Sequence, residues 1–455
     1  MNIMKQFITI FYLFFSILAF GQVNGDWSQL DKRVTPSWFE DAKFGIFIHW
    51  GLYSVPSWAT KSNADGFGSG YSEWYWQRLN DKSLKIHPEF MDFHLKNYGP
   101  NFKYQDFTTQ FKAELFDPNH WADVFAKSGA KYVVLTSKHH EGFAMWPSKF
   151  SWNWNAKDVG PHRDLAGDLI KSVKQAGLKM GFYYSIYEWY NPLYRSDVKK
   201  YVDQYMIPQI KELVDNYEPD LFWPDGEWEK SDTIWRSTEI VNWLYNHPKV
   251  KDNIVINDRW GNNTKGKHGS FYTTEYGLGN IDEKSPKRPW EECRGIGQSF
   301  GYNRYEYLND YSSAKQLIHS LITIVANGGN LLLNIGPTSD GRIPVIMEQR
   351  LTEIGDWLKI NGDAIYGSRK LSSGIKSSQK HHFFTEKGNS IYLIVSKWDN
   401  KIELESTFKP SSVRLLGYND PIKYSFKNGK IIIDCPTFTP ENIPSLAAWA
   451  FEIKK

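Results

Sequence analysis

The stretch PDLFWPDGEW, residues 219–228, ends an apolar run, Leu221-Phe222-Trp223, with Pro224-Asp225-Gly226. That triplet is turn chemistry: Pro presets φ, Asp bonds nearby backbone, and Gly accepts a positive φ. A carboxylate at the end of a buried strand is also well mounted for acid–base or nucleophilic work. Other reactive side chains end apolar runs in the same way. His49 follows KFGIFI, His139 and His140 follow KYVVLTSK, Tyr183 lies late in LKMGFYYS, and Arg259 ends NIVINDR. Each alone has an ordinary reading: a rim histidine that is simply hydrogen-bonded, a strand-ending Asp-Gly, an arginine in an ion pair. Their convergence on strand ends is what calls for a function. Adjacent residues of a strand face opposite ways, so His139 and His140 are not expected to hold one ion. There is no HExxH motif or cysteine cluster to support a metal, and no GxSxG elbow for a serine nucleophile. Carboxylate chemistry with neutral and cationic helpers remains. It suits glycoside hydrolysis, which uses two carboxyl groups, one of them with a raised pKa.

The elements that must carry these residues alternate. Strand patterns at 43–51, 131–140, 178–185, 219–226, 253–260 and 330–337 are interleaved with helical patterns at 117–129, 164–177, 197–217, 233–247, 312–329 and 346–362. The helix at 117 has Asp117 as N-cap, Pro118 at its first position and Gly129 as its stop. Repeated strand–helix units with apolar strands imply a parallel sheet buried on both faces. The spacing predicts a (β/α)8-like, TIM-type barrel over residues 22–368, with its site at the C-terminal strand ends. GIGQSFG at 295–301 has the wrong spacing for a dinucleotide loop. After the serine-rich LSSGIKSSQK, short alternating runs with turn signals such as Asn428-Gly429 predict a small antiparallel β-sandwich over 369–455.

The chain has 455 residues, and a net charge of +3 points to neither nucleic acid nor a polybasic membrane contact. Aromatic residues make up 16%, including 20 Trp; most belong to a core, while some suit the C–H faces of a sugar. Lys5, the apolar run FITIFYLFFSILAF and the small residues Ala19 and Gly21 read as a signal peptide over 1–21, cleaved on export to a secreted or periplasmic location. No other segment is apolar enough to span a membrane, so none is expected to be inserted after cleavage. The two cysteines, Cys293 and Cys435, lie in different domains and are expected as buried free thiols, with a single disulfide after export as the alternative.

Long motifs then become recognisable. WFEDAKFGIFIHWGLYSVPSWA, YVVLTSKHHEGFAMWPSKFSWNW, RDLAGDLIKSVKQAGLKMGFYYS, ELVDNYEPDLFWPDGEW, NDRWG, GIGQSFGYNR and GGNLLLNIGPTSDG, in this order from about residue 27 to about 368, resemble the α-L-fucosidases of glycoside hydrolase family 29. The resemblance implies a retaining exo-glycosidase that removes terminal α-L-fucose by double displacement; on the residues alone, no cofactor or metal is expected. It implies Asp225 as nucleophile, with Glu227 as local rival, and a loop-mounted acid/base at Glu275 of FYTTEYG. Glu291 of PWEECRG is the alternative acid/base and Glu283 a third choice. His49, Glu73, Trp74, His139, His140, Tyr183, Trp223, Arg259 and Phe300 match the family's sugar-binding positions. The implied partner is a fucosylated oligosaccharide, glycoprotein or polysaccharide; self-association stays open. Two other readings stand beside this one: a non-catalytic fucose-binding protein, and a retaining glycosidase for a related sugar such as a β-D-galactoside.

Overall fold

The computed structural model describes residues 25–277 and 287–455; the proposed signal segment at 1–21 and Glu283 lie outside these ranges. Eight strands form one parallel sheet: β1 (Phe44–Ile48), β2 (Tyr132–Lys138), β3 (Lys179–Ser185), β4 (Leu221–Asp225), β5 (Val255–Ile256), β6 (Tyr272–Glu275), β7 (Trp290–Gly295) and β8 (Gly329–Ile335). Their order is β5-β4-β3-β2-β1-β8-β7-β6, and each neighbouring pair is parallel. Alternation along the strands sorts their side chains. Ile46, Val133, Met180, Phe222 and Leu333 face the surrounding helices. Phe47, Val134, Tyr183, Trp223, Cys293 and Leu332 fill the interior of a (β/α)8-like barrel.

The sheet has a seam between β5 and β6, where no ladder forms. Side chains and loop amides close it. Ser270 N donates to the Ile256 carbonyl (2.9 Å), and the Asp258 carboxylate accepts from Thr273 N (3.1 Å), Thr273 Oγ1 (2.7 Å) and Gly266 N (2.8 Å). The helix Ser37–Ala42 plugs the opposite end from the strand C-termini. Its Phe39 stacks on Phe271 with ring centroids 4.3 Å apart, and Asn330 Nδ2 donates to the Phe39 carbonyl.

Three elements differ from the sequence expectation. The strand expected over 253–260 is only Val255–Ile256, because from Asn257 onward side chains take over the backbone's partners. Asn257 Nδ2 donates to the Pro224 carbonyl (2.9 Å) while its Oδ1 accepts from Arg259 N (3.1 Å). The helix expected over 197–217 holds a π-turn at Val202–Met206, just ahead of Pro208, which has no N–H to give the preceding turn. The helix expected over 233–247 breaks at Arg236, where φ is 55°. The Asp117 cap is as expected, accepting from Asn119 N and His120 N.

Beyond residue 368 two antiparallel sheets face each other. Their strands are β9 (Arg369–Lys370), β10 (Ile375–Lys376), β11 (His382–Lys387), β12 (Ser390–Val395), β13 (Lys401–Ser406), β14 (Ser412–Leu415), β15 (Lys423–Lys427), β16 (Lys430–Asp434) and β17 (Trp449–Lys454). The sheet orders are β10-β13-β16-β15 and β14-β17-β12-β11-β9. Asn428 and Gly429, both with positive φ, turn the β15–β16 hairpin. The sandwich packs on two barrel helices, Ala314–Ala326 and Val345–Asn361. His319 Nε2 pairs with the Ala447 carbonyl and Trp357 Nε1 donates to that of Ala448, each at 2.9 Å. Cys293 and Cys435 are free thiols, the first buried and the second half-buried.

Candidate active site

β4 stops at Asp225 because Gly226 turns the chain with φ 86°. A Cβ at Gly226 would stand 2.3 Å from Tyr187 Cβ, so the turn needs glycine for space as well as conformation. Both Asp225 oxygens are held: Tyr183 OH donates to Oδ2 (2.9 Å) and Arg259 Nη1 to Oδ1 (2.7 Å). His140 Nε2 stands 3.7 Å from Oδ2.

Arg259 also reaches a second carboxylate. Its Nη2 is 3.5 Å from Glu275 Oε2, while Tyr71 OH donates to Glu275 Oε1 (3.2 Å). Nε donates to Thr273 Oγ1 (3.0 Å), and the guanidinium lies 4.7 Å over the Trp223 ring. Burial disfavours its charge, yet the neighbouring carboxylates, Asp225 foremost, outweigh burial and hold Arg259 well above its usual pKa. Glu275 is the last residue of β6, not the loop residue expected from the sequence.

The expectation that His139 and His140 face opposite ways is also corrected. His139 and His140 both face the same cavity, with ring centroids 4.1 Å apart. The pairing of β2 with β3 shifts register between Thr136 and Lys138, and the strand ends at Lys138, so strict alternation no longer applies. His49 Nδ1 pairs with Asn334 Oδ1 (2.6 Å), and Asn334 Nδ2 donates to the Phe300 carbonyl (2.6 Å). His140 Nδ1 pairs with Ser185 Oγ (2.6 Å). Burial takes His49 and His139 down to about 3 and His140 well below its usual value. All three are therefore neutral donors or acceptors near neutral pH.

Glu73 Oε2 accepts from Gly301 N (2.8 Å) and Ser299 Oγ (3.3 Å), and burial pushes its carboxyl up to about 7. Trp74 stands edge-on to His140 at 5.0 Å and tilted to Trp228 at 5.9 Å. These groups line one cavity of about 310 Å³ at the C-terminal strand ends. It brings together Asp225, Glu275, His49, Glu73, Trp74, His139, His140, Tyr183, Trp223, Arg259 and Phe300, together with Tyr71, Phe67, Arg78, Trp228 and Lys265, which the sequence reading did not name as site residues. Phe67 and Tyr71 come from a loop with no periodicity to read. Trp228 sat in view, inside the opening motif.

Two glutamates stay out of the cavity. Glu291 is the second residue of β7, deep in the barrel, where it accepts from Tyr132 OH (2.5 Å) and Trp223 Nε1 (2.9 Å) and is fully buried. Glu227 is turned into the short helix after Gly226; burial, then the Asp225 charge against the pull of Arg259, brings its carboxyl up to about 7. Beside the cavity, Glu141 is buried with Oε2 3.5 Å from His139 Nδ1, and burial pushes it up to about 8.

The chain matches the α-L-fucosidase family profile over residues 17–363 and that of the α-L-fucosidase C-terminal domain over 376–454. It is 42% identical over 440 residues to the tissue α-L-fucosidase of Homo sapiens, covering 94% of this chain and 91% of that protein. An α-L-fucosidase of Dictyostelium discoideum is 47% identical over 374 residues, 80% of this chain and 79% of the other. The crystal structure of Thermotoga maritima α-fucosidase in complex with a mechanism-based inhibitor superposes with a TM-score of 0.81 at 38% identity, covering 95% of this chain and all of that one. On sequence and structure alike, the chain belongs to the α-L-fucosidase family of glycoside hydrolases.

Proposed function

We propose that the protein is a retaining, exo-acting α-L-fucosidase that hydrolyses terminal α-L-fucosyl residues of glycans by double displacement. The observation that carries this reading is the shared guanidinium: Arg259 contacts both Asp225 and Glu275, so two carboxylates face one small cavity. Retaining glycosidases need such a close pair.

In the first step an Asp225 oxygen bonds to the anomeric carbon as the glycosidic C–O bond breaks. Glu275 gives its proton to the departing oxygen. In the second step water attacks the anomeric carbon, Glu275 takes the water proton, and the Asp225 ester bond breaks. The stereochemistry is inverted twice and so retained. Tyr183 and Arg259 fix the attacking carboxylate, and as its charge is spent Arg259 remains paired to Glu275. His49, His139 and His140, being neutral, and Glu73 are suited to the sugar hydroxyls; Trp74, Trp223 and Phe300 supply apolar walls for the ring and its methyl group. Glu291 has no path to the sugar and is assigned a structural role. The apolar segment at 7–20 supports export before action on external glycans.

An aryl α-L-fucoside followed by NMR tests the proposal. The first-formed sugar should be α-L-fucose, appearing before mutarotation, and Asp225→Gly should lower kcat by at least about a thousandfold. Binding without turnover, a β-anomer formed first, or near-normal activity of the variant would each contradict it.

A further inference from the structure

A corner of the C-terminal sandwich, apart from the barrel cavity, gathers three metal-binding side chains that glycoside hydrolysis does not use. His381 immediately precedes β11, His382 begins it, and Asp399 lies in the connection between β12 and β13. His381 Nε2 is 2.6 Å and His382 Nε2 3.1 Å from the same Asp399 Oδ2. One donor atom from each of the three residues falls within a 4.8 Å set. Adjacent strand residues would face apart, but His381 stands before the strand, and the two rings come within 4.6 Å.

The frame around them is well held. Ser396 N donates to the His381 carbonyl (3.0 Å), and His382 Nδ1 pairs with Ser377 Oγ (2.7 Å). Trp398, next to Asp399, packs on Phe438, Trp449 and Phe451. The His382 side chain is buried, at 1% exposure, whereas those of His381 and Asp399 are 22% and 26% exposed. The cluster is thus anchored on one side and open to solvent on the other.

We propose that His381 Nε2, His382 Nε2 and the Asp399 carboxylate form a binding site for a zinc-class divalent cation, with water completing a tetrahedron. An ordinary ion pair explains one imidazole on a carboxylate oxygen; it does not call for two rings converging on that oxygen. Ligands at about 2.0–2.1 Å from a tetrahedral zinc stand roughly 3.3 Å apart, so the Asp399 oxygen, now 2.6 Å from His381 Nε2 and 3.1 Å from His382 Nε2, needs to draw back by less than about 1 Å to admit the ion. Two imidazoles select zinc and its neighbours over calcium or magnesium. With an ion on Nε2, the His382 Nδ1–H would donate to Ser377 Oγ, an outer hydrogen bond of the kind that orients a metal-bound imidazole.

The bound ion would clip the start of β11 to the β12–β13 connection and stabilise the sandwich by mass action.

The test uses the full chain, stripped with chelator and dialysed. Calorimetric titration with zinc chloride should show one ion per chain at micromolar affinity or tighter, with a zinc-dependent rise in Tm. Cobalt(II) should give the intense visible bands of tetrahedral coordination. Asp399→Asn and His381→Gln, both at partly exposed positions, should each weaken zinc binding at least tenfold while fucoside hydrolysis is unchanged. Absence of a saturable site in the unmodified protein, octahedral cobalt spectra, or variants that bind zinc with unaltered affinity would overturn the assignment.

Discussion

Arg259 is the side chain on which the site's geometry turns. It is buried, and it faces Asp225 and Glu275 through different nitrogens of one rigid fork. Lysine keeps the charge but offers one compact ammonium. Arg259→Lys should therefore lower kcat/KM by about 10- to 150-fold, since a charge-assisted hydrogen bond contributes about 1.5–3 kcal/mol; steady-state kinetics on an aryl fucoside checks this. The two candidate acids separate just as cleanly. Glu275→Ala should be rescued by azide with formation of β-fucosyl azide, because azide attack on the fucosyl-enzyme needs no base. Glu291→Ala should not be rescued. It should instead lose stability, as Tyr132 OH and Trp223 Nε1 are left buried without their acceptor. Azide products observed only with the Glu291 variant would reverse the assignment. At this scale the sequence motifs marked most of the cavity, since His49, Asp225 and Arg259 end apolar runs. They did not show Glu291 facing down the barrel, because that depends on which face of β7 each residue takes. Nor did they show Tyr71, which reaches Glu275 only through an irregular loop.

Among elements, turns and strand ends build the cavity. Pro224-Asp225-Gly226 is both a turn and a mounting: the turn ends β4 at the rim and leaves Asp225 facing Tyr183 and Arg259. Gly226→Ala would meet Tyr187 and strain a positive φ, so it should cost at least about 1 kcal/mol of stability and displace Asp225. Urea unfolding together with kcat measures both effects, and an unaffected kcat would argue against this coupling. The end of β2 is similarly built. Lys138 and Glu188 form a fully buried ion pair (2.7 Å) just before the two cavity histidines. Removing one partner, as in Lys138→Ala, should cost about 3–5 kcal/mol by leaving the other charge unpaired, read out by the same denaturation. The strand–helix alternation was legible because apolar runs and helical spacing are local. β6 was not: YTTE is short and polar, and the seam beside it is closed by the Asp258 side chain, which no periodicity encodes.

For the whole molecule, buried titratable groups set the pH dependence of stability. Burial raises Glu73, Glu227 and Glu291 to about 7 and Glu141 to about 8, from an ordinary 4.5. Their stabilisation is full below about pH 4.5 and is lost as pH rises through 7 to 8. The buried histidines, lowered to about 3 in His49 and His139 from 6.5, act oppositely: their contribution is present above 6.5 and fades as pH falls. The two sets offset each other between 4.5 and 6.5, and from there to about 8 the raised glutamates carry the dependence. Tm should therefore decline from pH 6.5 to 8, and Glu141→Gln should flatten the decline; a Tm that rises over that interval would contradict this account. The sandwich adds Tyr392, Ile394, Leu416, Ala448 and Ala450 to the apolar cluster outside the barrel. With the domain boundary proposed at 368/369, truncation there should expose this surface and yield insoluble protein, and a soluble, active fragment would refute the idea that the sandwich buttresses the barrel. The central claim, a covalent fucosyl-enzyme on Asp225, is tested most directly by mass spectrometry after treatment with a 2-deoxy-2-fluoro-L-fucosyl fluoride. The account predicts one fluorofucosyl unit on the peptide containing PDLFWPDGEW, with fragmentation placing it on Asp225; a label on Glu227 or on another carboxylate, or turnover without a trapped ester, would contradict it.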